Sequence, residues 1–284
     1  MTHQTYPPLT APARHVPGGS AGWWSTGFLL LVSLHLGTSA VFAAEPRVLR
    51  FDLNDRGYAE TMITLGDNGY QPISMASYQQ NGEPRYAGVW ERRPQGNPWQ
   101  QRHNILPEEF QDQFEALLGV GYRPVSVGMT NLGGQLRYTG IFEKKGGDNW
   151  AMRPHLSSEE FRQANEQYAR QGMQPVGLAG TLVGGDTRFA AIWETRPQPA
   201  TVRFDVPMAD FPKLSQTLAN EGQRPQGMVG YVTQGQPKFA VLFHKQAGPV
   251  SQVEVQPSLA PADLVKQHET LSKAGYFPVS IHGY

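Results

Sequence analysis

Over 284 residues, 24 lysines and arginines balance 24 aspartates and glutamates, and cysteine is absent. This balance leaves no basic footprint for nucleic acid or an anionic membrane surface. Without thiols the chain can form neither a disulfide nor a thiolate metal site.

The first 43 residues differ from the rest, with no acid and one firm positive charge, Arg14. Residues 27–43 (GFLLLVSLHLGTSAVFA) are an apolar run closed by small residues, and Val41-Phe42-Ala43 before Ala44 fits a signal-peptidase cleavage pattern. A retained membrane anchor is the alternative. Against it, the run is interrupted by Ser33, His35, Gly37, Thr38 and Ser39 and is short for a span of about 20 apolar residues. The expectation is a leader over 1–43 and a secreted or periplasmic mature chain. No stable membrane span would survive cleavage; an uncleaved leader would make the protein membrane-anchored. The stretch ahead of the run is long for a signal n-region, which leaves the translation start open.

From residue 48 the chain repeats itself. The stretch 121–143, GYRPVSVGMTNLGGQLRYTGIFE, has counterparts at 69–91, 172–194 and 222–244, and GYFPVSIHGY at 275–284 begins a fifth. The period of 50 to 53 residues falls where repeats mean arrays, solenoids or propeller-like rings. An apolar residue lies eleven positions before each G-x-x-P glycine: Tyr58, Phe110, Phe161, Phe211 and Leu264. A basic residue lies sixteen after it (Arg85, Arg137, Arg188, Lys238), and Glu91, Glu143, Glu194 or His244 lies twenty-two after it.

Each unit reads in the same order. A weak strand comes first: 48–53, 99–103, 150–153, 202–206 and 253–256. A helix follows; Phe110, Phe114, Leu117 and Leu118 form one apolar stripe. Ser157 with Glu160 fits a capping box. The glycine ends the helix in a left-handed conformation, and the proline three later prevents its resumption. Val125, Val127 and Met129 then alternate with Ser126 and Gly128 as a half-buried strand. Turns at Asn81-Gly82, Gly133-Gly134, Gly184-Gly185 and Gln234-Gly235 lead into a partner strand, making a β-hairpin.

The predicted fold is therefore α+β: tandem strand–helix–β-hairpin units, four complete and a partial fifth, curved or closed into a ring. The units run 48–93, 98–145, 149–196, 201–246 and 251–284, within one repeat domain over 46–284. The linkers are too short to separate independent domains, and a lone unit of some fifty residues is marginal without neighbours. The fifth unit stops before its last strand. A curved array could bring its ends together and remove the exposed edges.

The run 106–143, with EEF, a helix, GYRPVS, a glycine turn and RYTGIFE, resembles the bacterial tandem-repeat domain family. That repeat is found in bacterial and fungal proteins, often beside a β-lactamase-like serine hydrolase domain, as in secreted polyglycine hydrolases. The resemblance covers nearly all of 48–284. It departs in the fourth unit, where Gln223, Gln226 and His244 replace the aromatic, the branched residue and the acid. It implies an accessory or recognition role, with the hydrolase chemistry in a neighbouring domain that has no counterpart in this sequence.

Motifs for chemistry are sparse. No serine is followed three residues later by lysine, no G-x-S-x-G elbow occurs, and the paired glycines lack the GK[ST] of a phosphate loop. The histidines show no HExxH spacing, so neither a metal nor another cofactor is implied. Glu91, Glu143, Glu194 and His244 could converge on one axis and hold a cation through oxygens. Ion pairing is the plainer reading: each is followed by a base (Arg92, Lys144, Arg196, Lys245), and the recurrent Arg85, Arg137, Arg188 and Lys238 offer partners across neighbouring strands. The in-register aromatics (Tyr86, Tyr138, Phe189, Phe239 and Trp90, Phe142, Trp193, Phe243) read as core. Trp99 and Trp150 occur in two units only and are the candidates for an exposed binding surface, although packing over the hairpin serves equally. The candidate binding residues are thus Trp99, Trp150, Glu91, Glu143, Glu194 and His244. The functional expectation is an exported, non-catalytic scaffold for a protein or glycan ligand. A secreted serine hydrolase or its accessory subunit, and a structural envelope component, are the alternatives.

Overall fold

The computed structural model describes residues 28–34, 47–146, 149–245 and 253–283. The Val41-Phe42-Ala43 cleavage pattern and most of the run read as a leader lie outside these residues. Within that run Phe28–Leu34 is described, and it is a strand, β1.

Unit one comprises β2 (Arg47–Leu53), α1 (Asp55–Asp67), β3 (Tyr70–Gln80) and β4 (Glu83–Arg92). Unit two repeats it as β5 (Trp99–Ile105), α2 (Pro107–Gly119), β6 (Arg123–Leu132) and β7 (Gln135–Glu143). Unit three is β8 (Trp150–Leu156), α3 (Ser158–Ala169), β9 (Met173–Val183) and β10 (Asp186–Thr195). Unit four is β11 (Ala200–Pro207), α4 (Phe211–Asn220), β12 (Gln223–Thr233) and β13 (Gln236–Lys245). Unit five supplies β14 (Val253–Leu259), α5 (Pro261–Lys273) and β15 (Tyr276–Gly283). Each of the first four units folds as a three-stranded antiparallel sheet with the second hairpin strand in the middle, in the orders β2-β4-β3, β5-β7-β6, β8-β10-β9 and β11-β13-β12. The remaining sheet is β14-β1-β15.

Local chemistry accounts for the elements. Ser157 Oγ accepts from the Glu160 N–H at 3.1 Å and Glu160 accepts from the Ser157 N–H at 2.8 Å, a reciprocal cap on α3. The G-x-x-P glycines adopt positive φ, 86° at Gly121 and 76° at Gly172, a conformation that ends a helix cheaply only without a Cβ. The strand preceding each helix extends further than its hydrophobic pattern suggests. Asp52, Asn104, His155 and Asp205 sit at φ 54–57°, and the register against the middle strand slips there in every unit, for example between Arg102 and Ile105. A left-handed residue in a bulge breaks period-two alternation, and Asn, Asp and His tolerate that conformation best. This is why the sequence pattern stopped at residue 103 in β5 and at 153 in β8.

The middle strands bury both faces. Tyr86 and Trp90 pack with Tyr58 of α1 and with Ile141 of unit two, whereas Ala87 and Val89 pack with Leu264 and Ile281 of unit five. Unit two shares a core with Ala179 and Ile192 of unit three. Unit three shares one with Val229 and Ala240 of unit four, and Val255 of unit five joins the core of unit four. Each core therefore belongs to two units, which is how fifty-residue modules obtain enough buried area.

Candidate functional site

The four recurrent acid-or-histidine positions lie at the end of the middle strands or, for Glu91, Glu194 and His244, one residue from it. Of the partners expected, Arg196 stands beside Glu194, whereas the recurrent arginines pair elsewhere. Arg85 pairs with Asp52 at 3.2 Å and Arg188 with Asp186 at 3.2 Å, while Arg137 donates to Asn104 at 3.0 Å. These basic residues lie six positions before the glutamates along the strand, so they stand at the opposite end of the sheet.

A different set of arginines threads the glutamates together. Arg47 binds Glu91 at 2.7 Å. Arg93 binds Glu91 and reaches Glu143 of the next unit at 3.3 Å. Arg123, the register partner of Glu143, lies 3.6 Å from Glu194 of unit three. Arg196 lies 3.5 Å from Glu194 on its other side. The His244 ring hydrogen-bonds through Nε2 to the carbonyl of Pro175 in unit three at 2.7 Å. The result is an alternating belt of acid and base across unit boundaries. Burial pushes the Glu91 carboxyl up, but hydrogen bonds from Arg47 and Arg93 outweigh it and hold the group below its ordinary range. Burial pushes the His244 imidazole down, opposed by the Pro175 carbonyl and reinforced by the Arg196 charge. Among the described residues, no three His, Asp or Glu side chains gather to hold a metal.

Trp99 and Trp150 open β5 and β8 and stand directly across from two of these acids, Trp99 from Glu143 and Trp150 from Glu194. Directly opposed residues of an antiparallel pair share a face. The structure thus joins four of the six candidates into two equivalent pairs, one repeat apart. Arg47 faces Glu91 and Ala200 faces His244 in the same register, so the indole is special to units two and three. Both indoles are half-buried. They reach the preceding unit's helix: the Trp150 ring lies 6.1 Å from Phe114 of α2, edge-on, and a Cβ on Gly66 of α1 would lie 3.8 Å from the Trp99 ring.

Two further features escaped the sequence pattern. His103 is held between the rings of Tyr58 and Tyr86 of unit one, at 4.7 and 5.3 Å, and burial depresses its pKa against the opposing charge of Asp55. A narrow cavity is lined by residues of five different strands, including Ser77 of β3, Gly128 of β6, Gly180 of β9, Val229 of β12 and His282 of β15. Ser77 of that lining shares a buried hydroxyl–hydroxyl bond of 2.8 Å with Thr130. The equivalent positions that come together are therefore mid-strand residues next to the proline motif, not the glutamates.

The repeated sequence has a counterpart among known families. The family model of the polyglycine hydrolase-like structural repeat matches residues 32–93, 96–145, 147–196 and 197–246. The chain belongs to this repeat family. The four matches cover units one to four, and the first of them begins inside β1. No curated protein matches the chain.

Proposed function

We propose that this member of the polyglycine hydrolase-like repeat family is a non-catalytic scaffold that binds a protein segment or a glycan along the belt of units two and three. The observation that carries the reading is the pair of equivalent indole–carboxylate pairs, Trp99–Glu143 and Trp150–Glu194. An indole presents an apolar face with one donor; the carboxylate beside it is buried and held by arginines, of which Arg93 and Arg196 stay part-exposed and can donate to the oxygens of a ligand. Two such pairs spaced by one repeat suit an extended ligand with its own periodicity. Export to the periplasm or beyond is part of the proposal and rests on the apolar run ending in Val41-Phe42-Ala43. N-terminal sequencing of the protein recovered from an exporting host tests that part alone.

The reading is tested by retention of envelope and secreted fractions, or of a glycan array, on the immobilised full-length chain. One class of ligand retained, and weakened about tenfold or more by Trp99→Ala or Trp150→Ala, is the expected result. Retention indifferent to both substitutions would remove the belt as the surface. A second reading, an accessory part of a secreted serine hydrolase or such a hydrolase itself, is favoured by the family match. Turnover in a hydrolase substrate screen that a single substitution abolishes would replace the first reading with it.

A further inference from the structure

The pairing of β1 is not generic. In unit two, Tyr138, Ile141, Phe142 and Glu143 of the middle strand stand opposite Ile105, Gln101, Gln100 and Trp99 on one side. On the other side, Tyr138, Gly140, Ile141, Phe142 and Glu143 stand opposite Met129, Val127, Ser126, Pro124 and Arg123. In the fifth sheet, Phe28, Leu31, Val32 and Ser33 stand opposite Leu259, Val255, Glu254 and Val253, and Phe28, Leu30, Leu31, Val32 and Ser33 opposite Gly283, Ile281, Ser280, Pro278 and Phe277. The two pairing registers coincide residue for residue when Phe28 takes the place of Tyr138 and Ser33 that of Glu143. The irregularities coincide as well: the register slips beside the G-x-x-P proline, and again just before the helix, in both sheets.

We propose that the gap between β14 and β15 is a strand-binding site and that residues 28–34 are its resident ligand, the transplanted middle strand of unit five. The site accepts an extended, uncharged, aliphatic segment antiparallel to both neighbours. An empty gap would leave two sheet edges facing each other about 10 Å apart, one strand short of pairing, with their N–H and C=O groups unmatched. Middle strands elsewhere in the array are buried on both faces over the stretch that matches 29–32 (Ala87, Val89 and Trp90; Ala191, Ile192 and Trp193), so a charge at those positions would be excluded. FLLLVSL meets both demands. Occupancy also completes the path from the last unit to the first, where Ser74 Oγ accepts from the Ile281 N–H at 3.3 Å and Tyr78 and Leu49 share a core with Ile281. The array then closes as a five-unit ring. A cut in the link after folding would sever the chain without breaking the pairing and would turn an intramolecular strand into an exchangeable one, whereas removal of 1–43 during export would leave the gap to another strand of the same chemistry. The inference is independent of the ligand reading above.

The test uses the full-length chain. Hydrogen exchange of the intact protein is expected to show the amides of residues 29–33 protected to the same degree as those of β7, roughly a hundredfold or more beyond free-peptide rates. Leu31→Pro removes a ladder donor from a strand paired on both sides and is expected to lower the thermal midpoint by roughly 6–10 °C. A specific protease site built into residues 36–42 then allows the link to be cut. The released N-terminal peptide is expected to co-migrate with the remainder in gel filtration and to be displaced by a labelled FLLLVSL peptide carrying flanking lysines. Free-peptide exchange rates at 29–33, or a midpoint unchanged by Leu31→Pro, would overturn the proposal. So would release of the peptide on cutting with the remainder as stable as before.

Discussion

Arg47 Nη1 donates to the carbonyl of Pro278 at 3.2 Å, while its Nε and Nη2 grip Glu91 at 2.9 and 2.7 Å. One side chain of unit one thus ties the end of its own middle strand to the proline motif of unit five. Removing one partner of a largely buried ion pair costs several kcal/mol, reduced where solvent reaches the pair. Both side chains are about one-fifth exposed, so Arg47→Met is expected to destabilise by roughly 1–2 kcal/mol. Glu91→Gln leaves the bond to Pro278 intact and is expected to cost less. Urea unfolding of the two variants checks the order; equal midpoints for Arg47→Met and wild type would mean that the tie contributes nothing.

Gly88 lies beneath its own neighbour. A Cβ placed there would come within 2.7 Å of the Trp90 ring and of Met75 Sδ, and one on Gly140 within 2.7 Å of Phe142. Units three and four carry Ala191 and Val241 at this position, fully buried. In unit three the indole is bonded elsewhere, with Trp193 Nε1 donating to Asn165 at 3.0 Å. The residue two before the aromatic therefore sets where the ring lies. Overpacking costs about 1–3 kcal/mol when neighbours cannot yield, and Trp90 has no exposed surface. Gly88→Ala is expected to fall in that range by chemical denaturation. No loss would show that Trp90 can swing as Trp193 does.

Much of this architecture is legible in the chain. Gly121 and Gly172 announce helix ends, Ser157 and Glu160 a cap, and Asn81-Gly82 a hairpin, because each is a local event written in adjacent residues. Burial of Trp90 and Phe243 follows from their recurrence in register. What is not legible depends on residues far apart. The partners of Glu143 and Glu194 come from Arg93 and Arg123 of the preceding unit, and nothing in the spacing of one repeat favours them over Arg137 and Arg188. Trp99 and Trp150 lie against helices of the unit before, which a hairpin-centred reading misses. The seven residues 28–34 carry no repeat motif, and an apolar strand and a signal core look alike by composition; their pairing with β14 and β15 is a long-range relationship that composition does not carry.

Tyr231 holds a strained residue in place. Its hydroxyl accepts from the Asp205 N–H at 2.9 Å and donates to the Asp205 carboxylate at 3.1 Å, with Asp205 at φ 55° in the bulge of β11. Tyr78 makes the same bond to the Asp52 N–H at 3.0 Å in unit one. Units two and three have Thr130 and Thr181 at this position, so the device belongs to units one and four. Tyr231→Phe strands a part-buried N–H and is expected to cost roughly 1–2 kcal/mol. Faster amide exchange at Asp205, with the rest of the map unchanged, would localise the effect; an unchanged Asp205 amide would show that the phenol does not support the bulge.

Acid sensitivity should come from histidines before carboxylates. Burial depresses His282 to about 4 and lowers His103 and His244 as well. Their surroundings differ: Met75, Met129 and Val229 stand near His282, Asp55 opposes the effect at His103, and Arg196 adds to it at His244. A depressed histidine is neutral in the folded state while its unfolded counterpart titrates near 6.5. Below that pH the unfolded chain binds more protons, so stability present above about 6.5 is lost as pH falls toward 4. Glu91, also depressed, acts in the same direction only below the ordinary carboxylate range. Unfolding free energy is therefore expected to be flat from pH 8 to 7 and then to fall, with His282 alone contributing roughly 1–3 kcal/mol of the loss by pH 4. His282→Gln removes the titrating group while keeping a polar side chain of similar length. Its stability profile should be shallower between pH 6.5 and 4 than that of wild type. Parallel profiles would show that His282 reaches water in the folded protein and that the mid-strand cavity admits a charged imidazole.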